Sequence, residues 1–313
     1  MFNEGRKQEF LAQLDIDDKP FISLFRVIEP YEIERNRDLA EFSQEDFMQV
    51  LADALGLTES SLRMSKQRIN KYLAWCRTKN YPTVVVGDIT ASPDKSDVIH
   101  QRMVGSPEDL ALRMDRIFND RTIATVDCLY RCYLWMLFMG FDKEEPSCVL
   151  TDSVDLFTFR IKHKNLIYEI PPTSLIDFMH AVNAEEFIHA KSLNGKKSSG
   201  RRIESPYLLR GLRTEQLSYD TVQRAVTNLQ RKKKIAGDKI IPKQVRISGF
   251  FWRAYQADRV GGFPYLDPLI DEVFNGTTFV ADPDGKPARD YRRYLQFKYS
   301  QDYNAWKQAF HLT

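Results

Sequence analysis

The chain has 313 residues, 43% of them apolar and 28% charged, with 20 Phe, 14 Tyr and 4 Trp against 14 Gly and 14 Pro. At roughly 100–200 residues per domain this length predicts two domains. The aromatic content supplies enough apolar surface to exclude a disordered chain, and the Gly and Pro content excludes collagen-like and low-complexity classes. The net charge of +2 conceals a division: residues 191–260 hold 17 Lys+Arg and 5 Asp+Glu, and the rest hold 28 and 38. So concentrated a basic segment in a nearly neutral chain predicts a polyanion surface, with nucleic acid the leading partner.

The longest apolar stretch, CYLWMLFMGF at 132–141, is half of the roughly twenty residues that a membrane span needs. The opening MFNEGRKQEF has no apolar core of a signal peptide. The four cysteines show no metal-ligand spacing. Cys128 and Cys132, four apart on an apolar helix, read as small core residues. These features predict a reduced, cytoplasmic protein. No phosphate-binding glycine loop, nucleophile elbow or zinc motif is present, so neither cofactor nor metal is expected.

In chain order, residues 8–80 predict helices joined by short turns. Ser43-Gln44-Glu45-Asp46 resembles a capping box ahead of Phe47, Val50, Leu51, Ala54 and Leu55, with Gly56 as the stop. Thr58 opens the next helix, whose apolar stripe is Leu62, Ile69, Tyr72, Leu73 and Cys76. That helix also carries Arg63, Lys66, Arg68, Lys71, Arg77 and Lys79, with no acid between Ser60 and Lys79. A solvated helix face normally mixes signs, so this one predicts an anionic neighbour. Residues 81–105 read as a linker, with Pro82, Gly87, Pro93 and Gly105 and a short extended piece at Val84-Val85-Val86. Ser106-Pro107-Glu108-Asp109 caps a further helix, and a strongly apolar helix covers 122–140, stopped by Gly140.

After Asp155 the period switches to two. Residues 156–162 and 166–170 flank His163-Lys164-Asn165 as a hairpin, ended by Pro171-Pro172. Helix is expected over 173–190, a mobile Lys/Gly/Ser/Arg-rich stretch over 191–205, and helices over 218–233 and 248–258. Residues 263–313 predict a helix near 266–274, a loop at 275–290 and an aromatic tail that packs in cis on the second domain. The expectation is a mainly α protein with a small antiparallel β-sheet: a helical domain at 1–80, the linker at 81–105 and a larger domain at 106–313.

Two local motifs within this order carry a resemblance. Gly140-Phe141-Asp142-Lys143-Glu144-Glu145 runs on to Val154-Asp155, and Ile247-Ser248-Gly249-Phe250-Phe251-Trp252-Arg253 opens a helix beyond the hairpin. They resemble the Gly-Leu-Arg-x-x-Glu turn and the Ile-Thr-Pro-His-x-Leu-Arg helix start of the tyrosine recombinase (phage integrase) family. The resemblance covers about residues 40–300 and implies a SAM-like core-binding domain followed by a catalytic-type domain. The opening MFNE, the Gly-Phe-Asp turn and the Ser-Gly-Phe-Phe-Trp-Arg segment further resemble the MrpR (YopR) master repressor family of SPbeta-type prophages. That likeness implies a sequence-specific repressor that maintains lysogeny in a bacterial host by binding a short double-stranded operator.

Carried over residue by residue, the recombinase resemblance places Asp142 at the first catalytic arginine and Phe250 at the histidine. It puts Thr277 near the later His or Trp. Arg253 retains the second arginine, Lys162 or Lys164 stands at the hairpin lysine, and Tyr291, Tyr294 or Tyr299 falls where the nucleophile is expected. An acid facing phosphate and a ring without a transferable proton imply a scaffold that binds DNA but does not cleave it.

The residues expected to contact DNA are Arg63, Lys66, Arg68 and Lys71 on the N-terminal basic helix, and Lys162 and Lys164 on the hairpin. Lys196, Lys197, Arg201 and Arg202 lie in the basic loop. Arg231, Lys232, Lys233 and Lys234 form a run at a helix end, followed by Lys243, Arg246 and Arg253. Cations of this kind set affinity and salt dependence. A membrane partner is not expected, and a monomer is. Two rival readings are an active or divergent recombinase, and an interaction module with an acidic partner.

Overall fold

The computed structural model describes residues 1–14, 17–55, 59–118, 123–189, 198–201, 203–211, 214–235, 237–259 and 300–312. The described residues are mainly α-helical with two small antiparallel sheets, and the chain divides into two compact units, Met1–Gln101 and Arg102–Thr313.

In the first unit, α1 (Glu4–Ala12), α2 (Lys19–Arg35), α3 (Gln44–Ala54) and α4 (Glu59–Thr78) surround an aromatic centre. Phe10 meets Phe21, Tyr72 and Trp75 edge-on at 5.2–5.4 Å, an arrangement that the ring quadrupoles favour. The capping box that opens α3 is complete: the Ser43 hydroxyl accepts from the Asp46 N–H at 3.1 Å, and the Asp46 carboxylate accepts from the Ser43 N–H at 2.9 Å. On α4 the stripe Ile69, Tyr72, Leu73 and Cys76 is fully buried. Beneath it a buried Lys7–Glu32 ion pair is shared with the Leu39 N–H, which Glu32 accepts at 2.8 Å.

The stretch expected to be a linker is structured. Val85, Ile89 and Ala91 are buried in the core of the first unit, and α5 (Lys95–Arg102) follows. Arg77 holds this stretch by donating to the Val85 and Gly87 carbonyls at 3.1 and 3.3 Å. The glycines and prolines there mark bends in an anchored chain rather than a free tether.

The second unit is built on α7 (Val126–Met139), of which every residue from Leu129 to Met139 except Tyr130 is buried. Gly140 caps it at φ 113°, a conformation that L side chains rarely adopt. Among the described residues of this unit α6 (Pro107–Ile117), α8 (Leu175–Asn183), α9 (Tyr219–Lys232) and α10 (Pro242–Arg259) are further helices, and residues 300–309 are also helical. α10 packs tightly on α7 at Gly249, where an added Cβ would lie 1.8 Å from the Phe138 carbonyl oxygen. From the tail, Tyr303 and Trp306 are buried against Phe251, and Trp306 Nε1 donates to the Val104 carbonyl at 2.9 Å.

Three expectations change in this unit. Residues 156–159 form a turn, not a strand, because the Asp155 carboxylate accepts from the N–H groups of Phe157 and Thr158 and from the Thr158 hydroxyl. The first sheet therefore runs β1 (Val154–Asp155), β2 (Arg160–His163) and β3 (Leu166–Glu169), all antiparallel, with Val154 opposite Ile161 and Ile161 opposite Tyr168. Second, the helix expected over 173–190 ends at Asn183. Glu186–His189 is a strand, β4, which buries Phe187. Third, the stretch expected to be mobile contains β5 (Ser198–Arg201), which pairs with β4 so that Glu186 faces Arg201.

Candidate nucleic-acid interface

The cations of α4 divide by task. Arg77 secures the 85–87 segment, and Lys79 pairs with Glu9 at 3.1 Å. Lys71 is exposed with its ammonium 6.0 Å from the Phe21 ring centre. Arg63 is exposed, Lys66 and Arg68 are half-buried, and none of these three has an acidic partner among the described residues. The buried stripe occupies the opposite side of the helix, so α4 presents Arg63, Gln67 and Lys71 outward as an acid-free face.

In the second unit the cations of the basic run are mostly exposed. Arg231, Lys232 and Lys234 stand at the end of α9, with Arg231 donating to the Asn228 side chain at 3.2 Å. Lys233 instead caps α6, donating to the Arg116 and Phe118 carbonyls at 3.2 and 3.4 Å. Lys162 is exposed on β2. Lys164, in the hairpin turn, pairs with Glu145 at 2.5 Å. Burial acts to raise the Glu145 carboxyl, but hydrogen bonds from Lys164 and the Asp142 N–H outweigh it and hold the group below the usual carboxylate range. The ring of Phe141 stacks on Tyr168 at 3.9 Å, which fastens the turn after α7 to the sheet. Arg201 is exposed on β5; Lys196, Lys197 and Arg202 lie outside the described residues, as do Thr277, Tyr291, Tyr294 and Tyr299.

The motif positions converge. A cavity of about 600 Å³ is lined by Asp142 from the turn after α7 and by Lys243, Arg246, Phe250 and Arg253 from α10, with Lys143, Tyr219 and Gln223 at its sides. Residues 243, 246, 250 and 253 recur at spacings of three and four, so one face of one helix supplies them. Phe250 is almost fully buried. Arg253 Nη1 donates to the Phe138 carbonyl at 2.7 Å. Arg246 Nε donates to the Phe141 carbonyl at 3.1 Å, and its Nη2 lies 3.5 Å from the Asp142 carboxylate. The cavity therefore holds four cations and one acid, with that acid already paired.

Sequence reasoning named Asp142, Lys243, Arg246, Phe250 and Arg253 but not the link between Asp142 and Arg246. It also passed over Lys143, whose ammonium sits 4.8 Å from the Tyr219 ring centre. Starting this helix at 248 left Arg246 outside it. Pro242, at the first position of α10, was the signal for the earlier start. Among the described residues no group of His, Cys, Asp and Glu is placed to hold a metal ion, and no helix is long and apolar enough to cross a membrane.

Residues 1–78 match the family model of the MrpR N-terminal core-binding domain. The matched residues lie within the first unit. Solved structures similar over nearly the whole chain include XerA recombinase, at 13% identity over 95% of this chain and 97% of that one, with a TM-score of 0.37. They also include the Tn1549 transposon integrase in complex with transposon right end DNA, at 10% identity over 93% and 98%, with a TM-score of 0.36. A third is a lambda integrase dimer bound to a core site, at 11% identity over 93% of both chains, with a TM-score of 0.33. No curated protein matches the chain in sequence.

Proposed function

We propose that this protein is a sequence-specific DNA-binding repressor whose second unit uses a recombinase-like scaffold to hold duplex DNA without cutting it. The observation that carries the reading is the cavity beside α10. It gathers three positions that the motif resemblance assigns to strand cleavage, and two of them, Asp142 and Phe250, bear groups unable to perform it. Loss of one charge-stabilising donor costs about 2.7–4 kcal/mol, a factor of about 100–1000 in rate. Loss of a proton-transfer group removes a further factor of about 100–10000. Binding requires only cations near phosphates, and Arg63, Lys66, Arg68, Arg231, Lys232, Lys234, Lys243 and Arg253 supply them. The match of residues 1–78 to the MrpR core-binding domain supports the repressor role, with a double-stranded operator as partner, no cofactor and a monomeric chain in a bacterial cytoplasm.

Two assays test this. Incubation with a nicked suicide duplex is expected to give no covalent protein–DNA adduct; an adduct lost on Tyr→Phe at position 291, 294 or 299 would establish a divergent recombinase instead. Selection of bound genomic fragments at stated salt is expected to recover a discrete operator. Equal weak binding to all duplexes would favour an interaction module with an acidic protein partner.

A further inference from the structure

β3 is the edge strand of the first sheet. It pairs with β2, and the order β1-β2-β3 leaves its other side open among the described residues. One bond sets the phase of the ladder: the Ile170 N–H donates to the Phe159 carbonyl at 2.8 Å. Backbone groups alternate in direction along an antiparallel pair, so Leu166 and Tyr168 also turn theirs toward β2, opposite His163 and Ile161. Ile167 and Glu169 turn theirs the other way, and those N–H and C=O groups have no partner among the described residues. A further cavity, of about 590 Å³, borders every residue from 166 to 170. Side chains on a strand alternate between faces, so a space that borders five in succession runs beside the edge rather than over one face. The facing wall is largely apolar, with Phe138 and Met139 at the end of α7, Trp252 from α10, and Pro171. Leu166 and Ile167 are 57% and 58% exposed there, and β3 has no Lys or Pro to blunt its edge. On β2, opposite Glu169 and Ile167, stand Arg160 and Lys162, both exposed and neither ion-paired among the described residues.

We infer that this groove is a docking site for a partner protein, which adds an extended segment as a fourth strand beside β3. The partner's backbone pairs with the N–H and C=O groups of Ile167 and Glu169, and its alternate apolar side chains fill the groove. The positions between them lie on the side of the sheet that carries Arg160 and Lys162, so acidic residues suit them. Five residues of such a strand span about 17 Å. A second copy of β3 fits less well, because antiparallel pairing about Tyr168 sets Glu169 against Ile167 twice, an acid against an apolar chain. Nothing in this contact depends on DNA binding.

The probe is a fluorescein-labelled peptide of alternating Val and Asp, about nine residues long, titrated into the full chain and read by anisotropy. Saturable binding is expected, and a peptide of the same composition with its valines in one block should bind more weakly by about tenfold. Ile167→Pro removes an N–H that points away from β2, so the hairpin keeps its ladder while the groove loses a donor; peptide affinity should fall about tenfold or more. Amide exchange on the wild-type chain gives a second readout that does not depend on how that variant folds. The Ile167 and Glu169 amides should exchange at least about tenfold faster than that of Tyr168, and should slow when the peptide is added. Absence of saturable binding, or binding that Ile167→Pro leaves unchanged, would overturn the site. Ile167 and Glu169 amides already protected before peptide is added would give the edge to another part of this chain. A concentration-dependent dimer that Ile167→Pro abolishes would give it to a second copy, and either result overturns the partner. Tighter binding of an alternating Val and Lys peptide would overturn the acidic chemistry.

Discussion

Substituting Gly249→Ala tests the packing that builds the cavity. The new methyl carbon would meet the Phe138 carbonyl oxygen at 1.8 Å, its carbon at 2.5 Å and its Cα at 2.7 Å. Ordinary contact begins at 3.4 Å, so α10 and α7 must separate by about 1.6 Å. All three obstructing atoms are backbone, so no rotamer change relieves the clash. Overpacking of this kind costs about 1–3 kcal/mol, and a backbone obstruction belongs at the upper end. Alanine returns about 1 kcal/mol of helix propensity, which leaves a net loss of about 2 kcal/mol. For a unit of this size that corresponds to roughly 4–8 °C in Tm. The same carbonyl accepts the Arg253 bond at 2.7 Å, so DNA affinity should fall together with stability. Scanning calorimetry and anisotropy on the same preparation read both. A Tm that is unchanged or raised would mean that the helices have room to spare, and the close approach at Gly249 would be refuted.

Other outcomes follow from the same structure. Asp177 is fully buried and accepts from Arg131 Nε and Trp135 Nε1, each at 2.8 Å; Asp177→Ala leaves Arg131 buried and half-paired and should cost about 3–5 kcal/mol in urea unfolding, with a loss under about 1 kcal/mol counting against the network. Glu145 titrates below its ordinary 4.5 in the folded chain, so its contribution is present above that value and is lost as the pH falls through the folded one. Glu145→Gln should therefore flatten the decline of Tm roughly between pH 5 and pH 3, and an unaltered acid limb would deny the carboxylate this role. Asp142→Asn removes the one negative charge of the cavity and should tighten DNA binding severalfold at low salt; weaker binding would mean that the carboxylate matters chiefly for holding Arg246. Charge reversal of Arg231, Lys232 and Lys234, sparing Lys233 because it caps α6, should lower affinity for every sequence and flatten the salt slope; an unchanged slope would exclude this run from the interface.

Legibility in the sequence followed the range of the interactions. The α3 capping box, the Gly140 stop and the β2–β3 hairpin were readable because their causes lie within a few residues. Glu186–His189 was misread because Glu185 and Glu186 favour helix locally, while the strand depends on pairing with Ser198–Arg201. The segment at 81–105 looked like a linker because its composition reports bends and not the burial of Val85, Ile89 and Ala91. Within the site, the spacing of Phe250 and Arg253 was legible. The Asp142–Arg246 pair was not, since it joins residues 104 positions apart. Nor does any pattern reveal that Lys233 and Arg77 spend their charge on backbone carbonyls, which carry no residue identity.

The backbone at Val104 is claimed from both sides: its N–H donates to Ser248 Oγ at 2.9 Å and its carbonyl accepts from Trp306, 202 residues further on. During translation the Val104 N–H and carbonyl must therefore wait, open to solvent, until Ser248 and Trp306 have left the ribosome. The first core cluster, by contrast, is drawn from residues between Phe10 and Ala91, all of them synthesised before Val104.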